Sequence, residues 1–360
     1  MTTALGLDIG GANLKAADLD GRVRIRAFPM WKQHHCLTDH LRMLSWIKQP
    51  DLVGLTMTAE LADCFACKAD GVGWVIESVQ QAFPQSEVRI WLTSGEFAEP
   101  SDALELSELV AAANWHALAT WVGRAVPDDP AILIDTGSTT TDIIPLLDGH
   151  PISSGLTDLE RLQFGELVYT GVRRTPLCAV SHSVLVDGVD IPVAAELFAT
   201  TLDVHIVLGA IAEEPENTNT ADGKAATIRF ARRRIARMLC CDQSQLSTET
   251  IRHVAQQFAK AQYDQLVRAL QQVRTRQRQQ LEAAPRHEPH VSPQIILSGS
   301  GVFLAAEVAA ECGLTTTVNL AESDSSAVAE AACAFAVARL VSERCRDDLL
   351  PVVPFEDTGI

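Results

Sequence analysis

Short apolar runs alternate along the chain with longer stretches of helical spacing, the pattern of strands feeding helices. Leu5–Ile9 is a compact apolar run, Gly10–Asn13 a turn, and Leu14–Leu19 a second run. Asp20-Gly21 is a hairpin signal, after which Val23, Ile25 and Ala27 alternate with arginines as a third strand. Helices are predicted over 37–47, 72–83 and 104–122, with buried-type strands over 52–57 and 88–92. Val126-Pro127-Asp128-Asp129-Pro130 breaks the pattern and marks a domain boundary.

A second strand, turn and strand follow at once. Ala131–Asp135 leads into Thr136-Gly137-Ser138-Thr139-Thr140-Thr141, and Asp142–Leu147 closes on Asp148-Gly149. Both openings share one plan: an apolar strand, an aspartate at its end, a glycine two residues on, and an arm ending in Asp-Gly. They lie a whole domain apart, so the pattern reads as a duplicated α/β half rather than a short repeat. Further helices are predicted over 196–208, 228–239 and 251–281, with a polar loop at 218–224 and a break at 283–290. A last strand, Gln294–Leu297, meets Ser298-Gly299-Ser300-Gly301 and a helix. The expected organisation is a first domain over 1–128, completed by a C-terminal helix at 325–345, a second domain over 129–324, and a tail at 346–360.

Charge removes several function classes. Lys and Arg number 29 against 46 Asp and Glu, a net charge of −17, so the surface as a whole repels nucleic acid and anionic lipid. The nine cysteines are scattered through a long chain rather than set in a disulfide framework. Met1–Asp8 lacks a basic leader, and no charge-free apolar stretch reaches the length of a membrane span. The expectation is a cytoplasmic protein.

Three segments carry candidate chemistry. In the first, Gly10, Gly11, Asn13 and Lys15 follow Asp8, and glycine turns let backbone amides converge on an anion. In the second, Thr136, Gly137, Ser138 and Thr139 follow Asp135 and offer hydroxyl and amide donors. In the third, Gly299, Ser300 and Gly301 stand at a strand-to-helix junction, where a ligand's anion is favoured. Asp8 and Asp135 suit a shared Mg²⁺, because hard cations prefer carboxylate oxygen. Glu196, Thr200 and Asp203 are placed on one helical face. The Arg229–Arg237 run reads as a solvated basic face. Cys64 and Cys67, with His34, His35, Cys36 and His40 nearby, have metal-ligand types but no second cysteine pair, and read as packing.

Two Asp-x-Gly hairpins and a late strand–glycine–helix junction together resemble the actin-like ATPase superfamily. That resemblance implies two duplicated actin-like (ribonuclease H-like) α/β domains around a central cleft. Met57–Phe65, Val168–Pro176, Phe198–Val204 and Thr220–Lys224 look like a narrower group, the hydantoinase-A/oxoprolinase-related family of tetrahydromethanopterin-linked C1 metabolism. The Tyr169-Thr170-Gly171-Val172-Arg173-Arg174-Thr175-Pro176 run is its most specific piece. This resemblance implies a Mg²⁺-dependent transferase of methanofuran-type cofactor synthesis. Its partners would be an aminomethylfuran methyl diphosphate and a phenolic acceptor, with diphosphate released. A homodimer is the one protein association expected. Arg173, Arg174 and Asp222 then become substrate contacts, and Glu60, Asp63 and Asp203 candidate bases for the phenol. Kinases of the superfamily usually carry threonine where this chain has Ala12, which argues against phosphoryl transfer from ATP. The competing expectations are an ATP-dependent kinase or ring hydrolase, and a nucleotide-responsive scaffold without turnover.

Overall fold

The computed structural model describes residues 3–283, 291–323 and 326–345. The expected break at 283–290 lies almost wholly outside them, as do the first residue of the 325–345 helix and the 346–360 tail. The first sheet contains β1 (Ala4–Ile9), β2 (Asn13–Asp18), β3 (Val23–Ala27), β4 (Leu52–Met57), β5 (Glu87–Trp91) and β6 (Phe97–Ala98). Its order is β3-β2-β1-β4-β5-β6. β1–β2–β3 are antiparallel hairpin arms, whereas β4 and β5 run parallel to β1. The second sheet repeats this plan with β7 (Ala131–Thr136), β8 (Thr141–Leu147), β9 (His150–Pro151) and β10 (Leu167–Val168). After a separate hairpin of β11 (Ser183–Val186) and β12 (Val189–Pro192), β13 (Gln294–Ser298) and β14 (Thr316–Asn319) complete it. Its order is β10-β8-β7-β13-β14, with β13 parallel to β7 and β14 parallel to β13. The chain has the actin-like, ribonuclease H-like α/β arrangement twice.

Strand alternation decides what each face meets. Leu5, Leu7 and Ile9 of β1, with Val53, Leu55 and Met57 of β4, pack outward with residues of helices Leu37–Leu44 and Lys68–Ala82. In β7, Ile132 and Ile134 face the core that holds helices Thr248–Glu282 and Val302–Glu311, whereas Ala131 and Leu133 face inward. Helices Asn114–Val122 and Ala332–Arg344 form the inner layer between the sheets, with Trp115, Trp121 and Phe335 in its core. Asp8 shares the inner face of β1 with Gly6, and Asp135 that of β7 with Leu133. Each inner face therefore ends in a carboxylate at the cleft.

The inner helix lies unusually close to the first sheet. A Cβ on Gly6 would sit 1.9 Å from the Ala334 carbonyl oxygen, and one on Gly54 2.7 Å from that of Val337. The Gly6→Ala variant should lose about 3 kcal/mol or more, because backbone cannot yield as a side chain does. A denaturant midpoint close to wild type would contradict this packing.

Three sequence expectations need correction. The single helix over 104–122 is broken into Pro100–Glu105, Ser107–Val110 and Asn114–Val122. Ala112 takes a left-handed φ of 50°, a conformation that no continuous helix accommodates. The helix expected over 196–208 starts at Thr201, with Thr200 as its cap, so Glu196 lies outside it. The Arg229–Arg237 face is not uniformly solvated, since Arg234 is fully buried. Among the described residues no helix is long and apolar enough to cross a membrane.

Candidate active site

Each aspartate ends a strand whose hairpin returns immediately, which fixes its neighbours by register. Asp8 faces Lys15 across β1–β2 and Thr56 across β1–β4. Asp135 faces Asp142 across β7–β8 and Ser298 across β7–β13. Both turns close the same way, with Gly10 N–H donating to Asn13 O and Gly137 N–H to Thr140 O, each at 2.9 Å. Nothing lies within 4 Å of a Cβ placed on Gly11, so its backbone is open to the cleft.

Close glycine contacts assemble the second lobe's part of the site. A Cβ on Gly171 would lie 2.5 Å from both Gly137 O and Thr139 N, and one on Gly299 2.3 Å from Thr136 O. Val172 N–H donates to Gly137 O, and the Arg173 and Arg174 amides both donate to Ser138 O, at 3.1, 3.1 and 2.9 Å. Gly301 N–H donates to Thr136 O at 2.8 Å. The arginine segment and the 298–301 junction are thereby docked on the Asp135 turn. Thr136 and Gly301 are spent on this packing and line no part of the cleft.

The cleft holds two chambers, of about 440 and 340 Å³. They share a wall that includes Asn13, Lys15, Asp135, Ser138, Arg174 and Cys333. Gly299, Ser300, Arg173, Glu214, Asn217 and Glu330 belong to the larger chamber. Asp8, Gly10, Gly11, Thr139, Glu60 and Asp63 belong to the smaller one, where Trp31 and Tyr169 also sit.

Charges across the shared wall are strongly coupled. Lys15 Nζ lies 3.7 Å from Asp8 Oδ2, while Asp8 Oδ1 is buried without a hydrogen-bond partner. Burial raises the Asp8 carboxyl above its usual range, opposed by Lys15. Burial, and next Asp142, push Asp135 up to about 6. Arg161, whose side chain is buried, pairs with Asp142 at 2.6 Å and stacks over Trp115 at 4.1 Å. The Cys333 thiol, buried beside Asp8 and Asp135, is held well above its usual value and stays protonated. Among the described residues no three His, Cys, Asp or Glu side chains gather as a metal cage. Asp8, with its bare buried oxygen, and Asp135 line the smaller chamber together, and carboxylate oxygens of this kind suit a hard cation such as Mg²⁺.

The two arginines differ in their surroundings. Arg173 is gripped by both oxygens of Glu214, at 2.8 and 3.0 Å, and Asn217 donates to the same carboxylate. Arg174 has no such carboxylate among the described residues and lies 5.4 Å over the Trp31 ring of the opposite lobe. Glu60 is buried, its Oε2 has no partner, and burial pushes it up to about 7. The stability that this protonated Glu60 gives is complete below its unfolded value near 4.5 and is lost as pH rises through about 7. The Glu60→Gln variant should therefore melt above wild type at about pH 8 and level with it at about pH 4. Equal melting temperatures at both pH values would contradict this burial.

Asp203 and Asp222 do not stand in the cleft. Asp203 Oδ2 accepts from the Thr200 amide as a helix cap, and its Oδ1 pairs with Arg234 at 2.6 Å. Asp222 Oδ1 takes Arg234 Nη1 at 2.9 Å, which ties down the polar 218–224 loop. As candidate base and substrate contact, both are corrected to partners of the buried Arg234, Asp203 within the core and Asp222 at the exposed surface. His34 packs its ring against Phe65 and Trp74, and Cys64 Sγ lies 3.6 Å from Met30 O. Sequence reasoning missed Arg161, Trp31 and Glu214, and noted Asp142 only as the second carboxylate of the Asp135 turn. Counting back from the turn pairs Asp142 with Asp135, whereas the other three carry no local signal.

A family model described as hydantoinase/oxoprolinase matches residues 51–344. The chain belongs to the hydantoinase/oxoprolinase family. A relative from Methanocaldococcus jannaschii, named (4-{4-[2-(gamma-L-glutamylamino)ethyl]phenoxymethyl}furan-2-yl)methanamine synthase, is 36% identical over 250 residues, covering 69% of this chain and 74% of its own. A protein of the same name from Methanococcus vannielii is 40% identical over 146 residues, covering 41% of this chain and 65% of its own. Among solved structures, nucleotide-free acetone carboxylase aligns at 12% identity and a TM-score of 0.47, covering 91% of this chain and 51% of its own. The hydantoinase/oxoprolinase match includes Glu60, Asp135, both arginines and the 298–301 junction but not the Asp8 turn, which precedes residue 51.

Proposed function

We propose that this cleft performs an alkyl transfer of methanofuran-type cofactor synthesis. The donor is an aminomethylfuran methyl diphosphate and the acceptor a tyramine- or tyrosine-type phenol. The names of the two relatives support the product class, an aryl ether of a furan methanamine. The observation that carries the reading is the shared wall, where Lys15, Arg174 and Ser138 meet between two chambers. A diphosphate at that wall leaves the adjoining chamber for the rings.

The chemistry balances without another reactant. The furfuryl C–O bond breaks, its electron pair leaves with diphosphate, and the phenol oxygen forms the ether. The furan ring spreads the positive charge that builds on carbon. Lys15 and Arg174 meet the negative charge that builds on the leaving group, where preorganised cations act most strongly. Asp8 and Asp135 would hold Mg²⁺, which when bound supplies further neutralisation of the diphosphate. The phenol proton passes to a carboxylate, and with Asp203 engaged by Arg234, Glu60 and Asp63 remain on the chamber wall.

Ala12 leaves the first turn without the hydroxyl expected of a kinase, and the donor already carries its leaving group. Product should therefore form without nucleotide, one diphosphate per ether. ADP appearing in step with product would overturn this reading in favour of an ATP-dependent reaction.

A further inference from the structure

The smaller chamber is lined by charges of both signs. Lys15 and Arg174 stand at its shared wall, whereas Glu60, Asp63 and Asp158 stand elsewhere on its lining, with Arg161 held between Asp142 at 2.6 Å and Asp158 at 4.0 Å, and none of these reaches the larger chamber. Beyond burial, Asp158 raises and Lys68 lowers the Glu60 carboxyl, whereas Lys15 is paired with Asp8 at 3.7 Å. Lys68 is turned to Asp158, at 3.8 Å, and no cation pairs with Glu60 among the described residues.

Glu60 is an expensive residue to keep in that place. Its side chain is only 2% exposed, and Oε2 is buried without a donor. A buried carboxylate lacking its partner costs free energy that a bound cation returns. The position is also fixed, because Gly71 of helix Lys68–Ala82 packs directly on the Glu60 backbone, a Cβ there falling 2.6 Å from Glu60 O. Trp31 and Tyr169 line the same chamber.

We infer that Glu60 forms an ammonium subsite on the lining of the smaller chamber, which selects a ring bearing a protonated aminomethyl group opposite its diphosphate. This assignment rests on the proposed alkyl transfer and names the group by which the donor is chosen. It makes Glu60 a specificity-determining residue and leaves Asp63 to take the phenol proton. An ammonium on this carboxylate gains a charge-assisted hydrogen bond that a neutral hydroxyl cannot match.

The test uses the full chain, furfurylamine and its neutral twin furfuryl alcohol, titrated calorimetrically in the presence of inorganic diphosphate. Wild type should bind the amine about tenfold or more tightly than the alcohol, because the site otherwise leaves a carboxylate unpaired. The Glu60→Gln variant should bind both alike, with alcohol affinity unchanged. In turnover, Glu60→Gln should raise KM for the aminomethyl donor several-fold more than for a donor without the amine. Equal binding of amine and alcohol by wild type would overturn the subsite. So would an amine preference that survives in Glu60→Gln, or an equal fall in kcat with both donors, which marks Glu60 as the base. Amine preference without diphosphate release from any donor would leave the subsite standing and sink the alkyl transfer instead.

Discussion

Asp135→Asn should lower kcat/KM by about three orders of magnitude or more, the loss expected when a metal anchor is removed from a charged leaving-group site. Asparagine keeps the shape and one oxygen but removes the charge that a hard cation needs. The backbone around Asp135 is held by β8 on one side and β13 on the other, so the fold should survive. Far-ultraviolet circular dichroism and the melting temperature check this. Asp8→Asn should cost a similar amount, and the double variant little more, because two anchors of one ion do not act independently. Wild-type turnover of Asp135→Asn at limiting Mg²⁺, or additive losses in the pair, would remove the shared ion from the account.

Arg174→Ala should lose about 2–4 kcal/mol of transition-state stabilisation, the scale of one preorganised donor to developing charge. The loss should fall on kcat as well as KM, because the leaving group gains charge as it departs. Arg174→Lys should recover only part of it, since ammonium lacks the planar fork and stacks less well on Trp31. Arg173 is different because Glu214 already takes both ends of its guanidinium. Its replacement should behave like Glu214→Gln, with a smaller effect. Near-normal kcat/KM in both Arg173→Ala and Arg174→Ala would reduce the arginine pair to surface charge.

The hairpins were legible because period-two alternation and Asp-Gly turns act locally. Asp20-Gly21 and Asp148-Gly149 both make the turns expected of them, with Gly21 at φ 76° and Gly149 at φ 74°. The 104–122 helix was misread for the opposite reason. Its Ala, Leu and Trp content favours a continuous helix, yet tertiary contacts hold Ala112 in a left-handed conformation, and the bend puts Ala112 and Asn114 on the chamber wall. Asp203 and Asp222 looked like cleft residues because their partner, Arg234, lies in a run that reads as solvated. No local pattern shows which member of a basic run turns inward. The meeting of Lys15, Asp135, Arg174 and Cys333 on one wall likewise depends on segments far apart in the chain.

The central claim is that the donor's carbon–oxygen bond breaks and the phenol supplies the ether oxygen. A donor carrying ¹⁸O at the bridge between furfuryl carbon and diphosphate tests it directly, with both products weighed by mass spectrometry. Alkyl transfer sends all of the label into released diphosphate and leaves the ether unlabelled. Label retained on the furan-bearing product would mean that a phosphorus–oxygen bond was cleaved, and the alkyl-transfer account would be wrong.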